Sequence, residues 1–168
     1  LSVVNVAYNK AIREGLCACP LKGRGMGETT LVSADKVALI EASFENIALH
    51  SQAFVQKFYE NLFTLYPHFE PLFSGDRDEQ ERKLFKTLMM MTQNLRKPSL
   101  LHSHFQPLGG RHTEKYGVSP EFYSQFIRVL IHTMRDFAGA EWTPELEEAW
   151  QEGLDALVTM MTKPMPAN

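Results

Sequence analysis

Three polar side chains fall where helical spacing calls for apolar ones: Tyr59, Gln80 and His112. Tyr59 shares a face with Val55, Leu62 and Tyr66. Gln80 precedes Leu84, Thr87 and Leu88 on the face of a later helix, which aims its amide inward. His112 follows Leu108 by one helical turn and precedes Lys115 and Tyr116. A phenol and an amide donate hydrogen bonds. A neutral imidazole is a good donor to a transition metal, and its second N–H can be oriented by a carbonyl one turn back, such as that of Leu108. Singly, each has an ordinary structural explanation: a helix-start glutamine, a core tyrosine with a satisfied hydroxyl, a buried and hydrogen-bonded histidine. Jointly they suit another arrangement, a histidine on one helix facing polar donors on others across a flat group that fills an apolar slot.

The elements that must position them are all helical. Ser33 is a candidate N-cap for a first core helix carrying Val37, Ile40, Phe44 and Ile47 at three- and four-residue steps. A second spans Ser51 to Tyr66, with Val55, Phe58, Tyr59, Leu62 and Tyr66 near one face, and Pro67 ends it. A short turn holds His68 to Phe73. Ser74, Gly75 and Asp76 read as turn, so the next helix is expected from Asp78 to Leu95, buried through Leu84, Leu88, Met91 and Leu95. A short helix carrying His112 is expected to start at Pro107 and end at Gly117. Ser119 and Pro120 open a long helix striped by Phe122, Phe126, Val129, Leu130, Thr133 and Phe137. Thr143 and Pro144 open the last, with Leu146, Trp150, Leu154, Leu157 and Met161 inward. No segment alternates with period two, so the fold class is all-α.

Residues 1–32 read differently. Val4, Tyr8, Ala11 and Ile12 can form one face of a short helix closed by Gly15, and KGRGMG at 22–27 is a glycine-rich linker. The expected organisation is an N-terminal extension over 1–32, one domain over 33–163 and a tail over 164–168.

Composition agrees with one ordinary core. The 168 residues are 44% hydrophobic, with a net charge of −3 and acids and bases interleaved. That pattern offers no basic stripe for nucleic acid and no polybasic segment for a membrane surface. No stretch approaches the roughly 18 apolar residues of a membrane span, and the first residues lack the pattern of a secretory signal. A cytoplasmic protein is the expectation. Cys17 and Cys19, separated by a single residue, suit neither a strain-free bridge nor a metal site and read as incidental thiols, the alternative being an exposed redox or intermolecular disulfide site. Of the other histidines, His50, His68, His102 and His132 fall at helix ends or on mixed faces. His102 and His104 form an H-x-H pair without a third nearby ligand. His104 is the rival to His112, set aside because it precedes Pro107 and so falls outside the expected short helix.

Three segments then agree in order and spacing with a known family. FYENLF at 58–63, PLFSGDRDEQERKL at 71–84 and LGGRHTEKYGV at 108–118 resemble the distal tyrosine segment, the phenylalanine turn with distal helix, and the proximal histidine helix of globins. The likeness is to bacterial single-domain haemoglobins and flavohaemoglobin globin domains, over roughly residues 34–162. It implies a three-on-three helical sandwich around haem b (iron protoporphyrin IX). His112 matches the proximal iron ligand, Phe73 the phenylalanine packed on the haem, and Leu84 the distal residue bordering the ligand pocket. Phe73, Leu84, Leu108, Val118, Phe122, Phe126 and Leu154 are candidates for the haem faces, with Lys83, Arg111 and Tyr116 toward the propionates. Tyr123 matches the flavohaemoglobin tyrosine beside the proximal histidine. Met165, however, stands where its glutamate partner is expected, so a weaker electron push from the histidine is implied.

The resemblance implies reversible binding of dioxygen, and of nitric oxide or other diatomic gases, with Tyr59 and Gln80 donating to the gas. These 168 residues show no flavin or nicotinamide site, and Gly109-Gly110 is not a dinucleotide loop. Nitric oxide dioxygenation would therefore draw electrons from an external reductase. The alternative function is a haem-based gas sensor whose N-terminal residues contact a signalling partner. A haem-free interaction module is disfavoured by the joint presence of His112, Phe73 and Gln80.

Overall fold

The structure is a computed structural model describing residues 32–163. Its α-helices are α1 (Ala34–Leu49), α2 (Ser51–Leu65), α3 (Arg77–Asn94), α4 (Pro98–Tyr116), α5 (Pro120–Ala138) and α6 (Pro144–Thr162). Short 3₁₀ segments at Pro67–Phe73 and Gly139–Glu141 join α2 to α3 and α5 to α6, and no strand occurs among the described residues. The N-terminal helix expected around Val4 to Ile12, Cys17 and Cys19, Met165 and the tail lie outside the described residues. None of the described helices is long and apolar enough to cross a membrane.

Caps set the helix starts. Ser33 accepts from Lys36 N at 3.5 Å and Thr143 from Leu146 N at 3.2 Å, as their sequence positions suggest. Asp76, expected in a turn, is instead the N-cap of α3, accepting from Glu79 N at 3.1 Å. The helix accordingly starts at Arg77, ahead of Asp78. At the other end of the site, Gly117 closes α4 in the left-handed region at φ 60, with Gly117 N donating to Thr113 O and Val118 N to His112 O, both at 3.1 Å.

The largest departure from expectation is α4. It begins at Pro98, not Pro107, and Pro107 lies inside it. A proline within a helix removes the bond to the carbonyl four residues back and costs about 3 kcal/mol. That carbonyl belongs to Ser103, an exposed residue where water can serve it, while Leu101 and Phe105 are fully buried on the other face. Burial of two large side chains, each worth about 1.5–3 kcal/mol, outweighs the broken bond.

One continuous core runs through all six helices. The expected stripes on α1 and α3 are buried throughout: Val37, Ile40, Phe44 and Ile47, and Leu84, Leu88 and Met91 with Leu95 just beyond the α3 end. On α5 the stripe is rotated. Tyr123, Ile127, Ile131 and Met134 are buried beside Val129, Leu130 and Thr133, whereas Phe122, Phe126 and Phe137 are only partly buried. On α6, Met160 is buried and Met161 partly so. Polar cross-links are satisfied: Asn61 Nδ2 donates to Thr133 Oγ1 at 3.0 Å, Thr133 donates to the Val129 carbonyl, and Trp150 Nε1 donates to Ser43 Oγ at 2.9 Å. The most extensive helix pair is α4 with α6. Their backbones meet at Gly109, where a Cβ would lie 1.9 Å from the Met161 carbonyl oxygen.

Candidate functional site

The two residues expected on the distal side, Tyr59 and Gln80, lie where α2 meets the start of α3. Tyr59 is buried, with its ring 5.4 Å from that of Phe73 edge-on and 5.8 Å from that of Phe63 in a stack. Its hydroxyl donates to the main-chain carbonyl of Gln80 at 3.5 Å, a long contact that commits it weakly. Burial pushes the phenol well above its ordinary range, the Arg77 charge pulls it back, and Glu81 adds to the rise. Tyr59 is therefore a protonated donor at physiological pH. Gln80 turns its side chain inward, as expected, and its Oε1 is buried without a partner among the described residues. Its Nε2 folds toward Gly75, 3.3 Å from where a Cβ there would sit. A half-turn of the amide exchanges the two atoms, so a buried position free to accept is equally one free to donate.

The residues expected on the proximal side, His112 and Tyr123, lie on α4 and α5. His112 is half-buried, and its Nδ1 is buried with no partner among the described residues. The expected bond from the ring to the Leu108 carbonyl is thus not formed. The imidazole lies instead 6.2 Å from the Tyr116 ring and 6.3 Å from that of Tyr123, edge-on to the latter. Desolvation first, and the Arg111 charge second, lower its pKa and keep it neutral, the state that ligates iron. The hydroxyl of Tyr123 is also buried without a partner among the described residues. His104 lies on the same helix, so the reason for setting it aside fails. What separates the two is burial, because His104 is exposed.

Aromatic rings connect the two sides without a break. From Tyr59 the contacts run to Phe73, then to Phe122 at 6.4 Å, Tyr123 at 6.3 Å and His112 at 6.3 Å. Phe69 reinforces Phe122 at 4.1 Å and Phe126 reaches Phe58 at 4.8 Å. Leu84 and Leu154 are buried, and Leu108 and Val118 are half-buried. Of the candidate edge residues, Arg111 and Tyr116 are exposed near His112. Lys83 is committed to Glu79 at 2.8 Å, which draws it along its own helix.

Two residues near the site escaped the sequence reading, and both carried a signal. Arg77 places a cation at the N-terminus of α3, against the helix dipole, and its guanidinium carbon lies 4.9 Å from the Tyr59 ring centre. Glu81 sits three residues before Leu84 on the buried stripe and is itself buried. A buried polar atom normally has a partner. The unpaired His112 Nδ1 and Gln80 Oε1, at the two ends of an aromatic wall, fit a planar apolar group carrying a metal.

The family model described as Globin matches residues 56–161, well over half of the chain. The chain is a globin. Among similar proteins, the globin is 24% identical over 126 residues to a flavohemoprotein of Rhizobium meliloti, the match covering 73% of this chain and 31% of that relative. It thus spans about a third of the flavohemoprotein's length. It is 28% identical over 153 residues to anaerobic nitrite reductase HBII of Casuarina glauca, covering 82% of this chain and 91% of the relative. A globin-like protein of Aquifex aeolicus is 23% identical over 133 residues, covering 79% of the globin and 94% of the relative. The matched span contains Tyr59, Gln80 and His112.

Proposed function

We propose that this globin holds haem b through His112 and reversibly binds dioxygen beside Tyr59 and Gln80, with residues 33–163 as the globin domain, 1–32 as an extension and 164–168 as a tail. The observation that carries the reading is the ring series that runs from Tyr59 to His112, with Gln80 Oε1 at one end and the imidazole at the other. Both His112 Nδ1 and Gln80 Oε1 are buried without partners among the described residues. Phe73, Phe122, Phe126, Leu84, Leu108, Val118 and Leu154 supply apolar walls, and Arg111 and Tyr116 offer polar groups at an edge. Haem, when bound, supplies an iron open to a diatomic gas.

The chain's own groups account for selectivity. Tyr59 keeps its proton because burial disfavours phenolate, and its 3.5 Å contact with Gln80 O is readily exchanged for a better acceptor. Dioxygen takes on partial negative charge as a ligand, so each charge-assisted hydrogen bond to it is worth about 1.5–3 kcal/mol. Gln80 adds a second donor by rotating its amide. Nitric oxide is a second ligand of this pocket, and its dioxygenation would require an external reductase. The likeness to a longer flavohemoprotein supports that extension.

The test is stopped-flow release of oxygen from four haem-loaded proteins: the parent, Tyr59→Phe, Gln80→Leu and the double variant. Each single substitution should speed release by roughly tenfold to a hundredfold, since about 1.4 kcal/mol is a factor of ten. Carbon monoxide, which gathers less charge, should respond far less. The two donors share one acceptor, so the double variant should be non-additive. Unchanged oxygen release in both single variants would defeat the reading.

A further inference from the structure

Arg77 stands where a cation is least favoured on a helix, at the N-terminus of α3, where the dipole presents positive charge. What it contacts explains its presence. Its guanidinium carbon lies 4.9 Å from the Tyr59 ring centre and 4.6 Å from that of Phe63, while those rings stack at 5.8 Å and 27°. One planar cation thus caps a stacked pair whose inner member is the distal phenol. The third ring of the group, Phe73, meets Tyr59 edge-on from another side. The phenol's remaining freedom is set by its long contact to Gln80 O, one helical turn after Arg77 on the same helix.

We infer that Arg77 is a positioning residue for Tyr59: its guanidinium clamps the Tyr59–Phe63 stack from outside and holds the hydroxyl at the Gln80 turn, where it serves a dioxygen ligand. This inference rests on the proposed distal role of Tyr59. The planar guanidinium suits the task better than an ammonium, because it stacks on an aromatic face while its edge stays hydrated. The same charge works against burial in favouring a more acidic, better-donating phenol, and Glu81 opposes it. Arg77 is exposed, so replacing it leaves the core untouched.

The experiment uses the full chain loaded with haem and two readouts. The first is oxygen release for Arg77→Met and Arg77→Lys, each in the parent and in the Tyr59→Phe background. Arg77→Met should speed release about twofold to fivefold, the factor a cation–π contact at an exposed site is worth, with Arg77→Lys in between. In the Tyr59→Phe background, where the ring remains and the hydroxyl is gone, neither Arg77 variant should alter release. The second is urea unfolding of Arg77→Met, Tyr59→Leu and the pair, in which the two sites should be coupled by a similar factor in the unfolding constant. If Tyr59→Phe speeds release but Arg77→Met does not, the clamp is overturned and the distal reading stands. Equal Arg77 effects with and without the Tyr59 hydroxyl also overturn it. If Tyr59→Phe leaves release unchanged, the distal reading itself fails, and a coupling indistinguishable from zero in urea then removes the ring contact as well.

Discussion

Glu81 is a buried residue on the stripe that also carries Leu84 and Leu88. Desolvation first, then the neighbouring Asp78, raise its pKa, while Arg77 opposes the rise. A raised folded-state value means that ionisation costs more in the folded protein than in the unfolded chain. Its contribution is therefore most favourable at acid pH and is lost as pH rises from the ordinary carboxylate range through the raised value. Glu81→Gln, which imitates the protonated acid, should raise the melting temperature at pH 7 and leave it nearly unchanged at pH 4. Equal shifts at both pH values would show that the charge is not what matters. The same residue shows what could be read in advance. Tyr59, Gln80 and His112 stand out because each is polar among apolar neighbours. Glu81 meets that criterion too, yet an acid early in a helix is favourable to the dipole wherever it points, so its type alone does not mark it as buried. The missing bond from His112 Nδ1 to Leu108 depends on ring orientation, which spacing does not encode.

Helix α4 shows tertiary contacts overriding local signals. Pro107 alone reads as a start, yet the helix runs through it because Leu101 and Phe105 are anchored in the core. The helix must also pass α6 closely, and Gly109 makes that approach, with any Cβ there falling 1.9 Å from the Met161 carbonyl. Glycine costs roughly 1 kcal/mol inside a helix, so the position is kept for packing, one turn before His112. Gly109→Ala should destabilise the protein by about 1–3 kcal/mol or more and weaken haem retention, because α4 must shift with His112 on it. Gly110→Ala is the control, as a Cβ there meets nothing within 4 Å. Chemical denaturation of both variants, with haem content measured alongside, checks this. Equal stability in the two would remove the close approach as a constraint. Gly117 still ends α4 as expected, and among the other helices Ser33 and Thr143 stand at the caps and Pro67 at the α2 stop. Rotation of the α5 stripe toward Tyr123 and Ile127 was hidden because the α5 phenylalanines outweigh smaller apolar residues in any face count.

At the scale of the molecule, the helix order and all-α class were readable from periodicity, and the family from three segments in register. The joining of distal and proximal sides was not, because it depends on Phe69, Phe73 and Phe122 meeting across separate elements. A group that binds the folded chain and not the unfolded one stabilises it by an amount that grows with the logarithm of its free concentration over Kd, about 2.7 kcal/mol at a hundredfold excess. Removing haem should accordingly lower the melting temperature, and re-adding it should restore the loss in the parent but much less in His112→Ala. The most direct test of the whole account is the ferrous absorption spectrum, without added gas, of haem-loaded parent and His112→Ala proteins. Gln80 is a poor iron ligand, so the parent should be five-coordinate, high-spin and histidine-ligated. The variant should lose that signature along with haem content. A low-spin bis-histidine spectrum in the parent, or full haem with an unaltered histidine-ligated spectrum in His112→Ala, would contradict it.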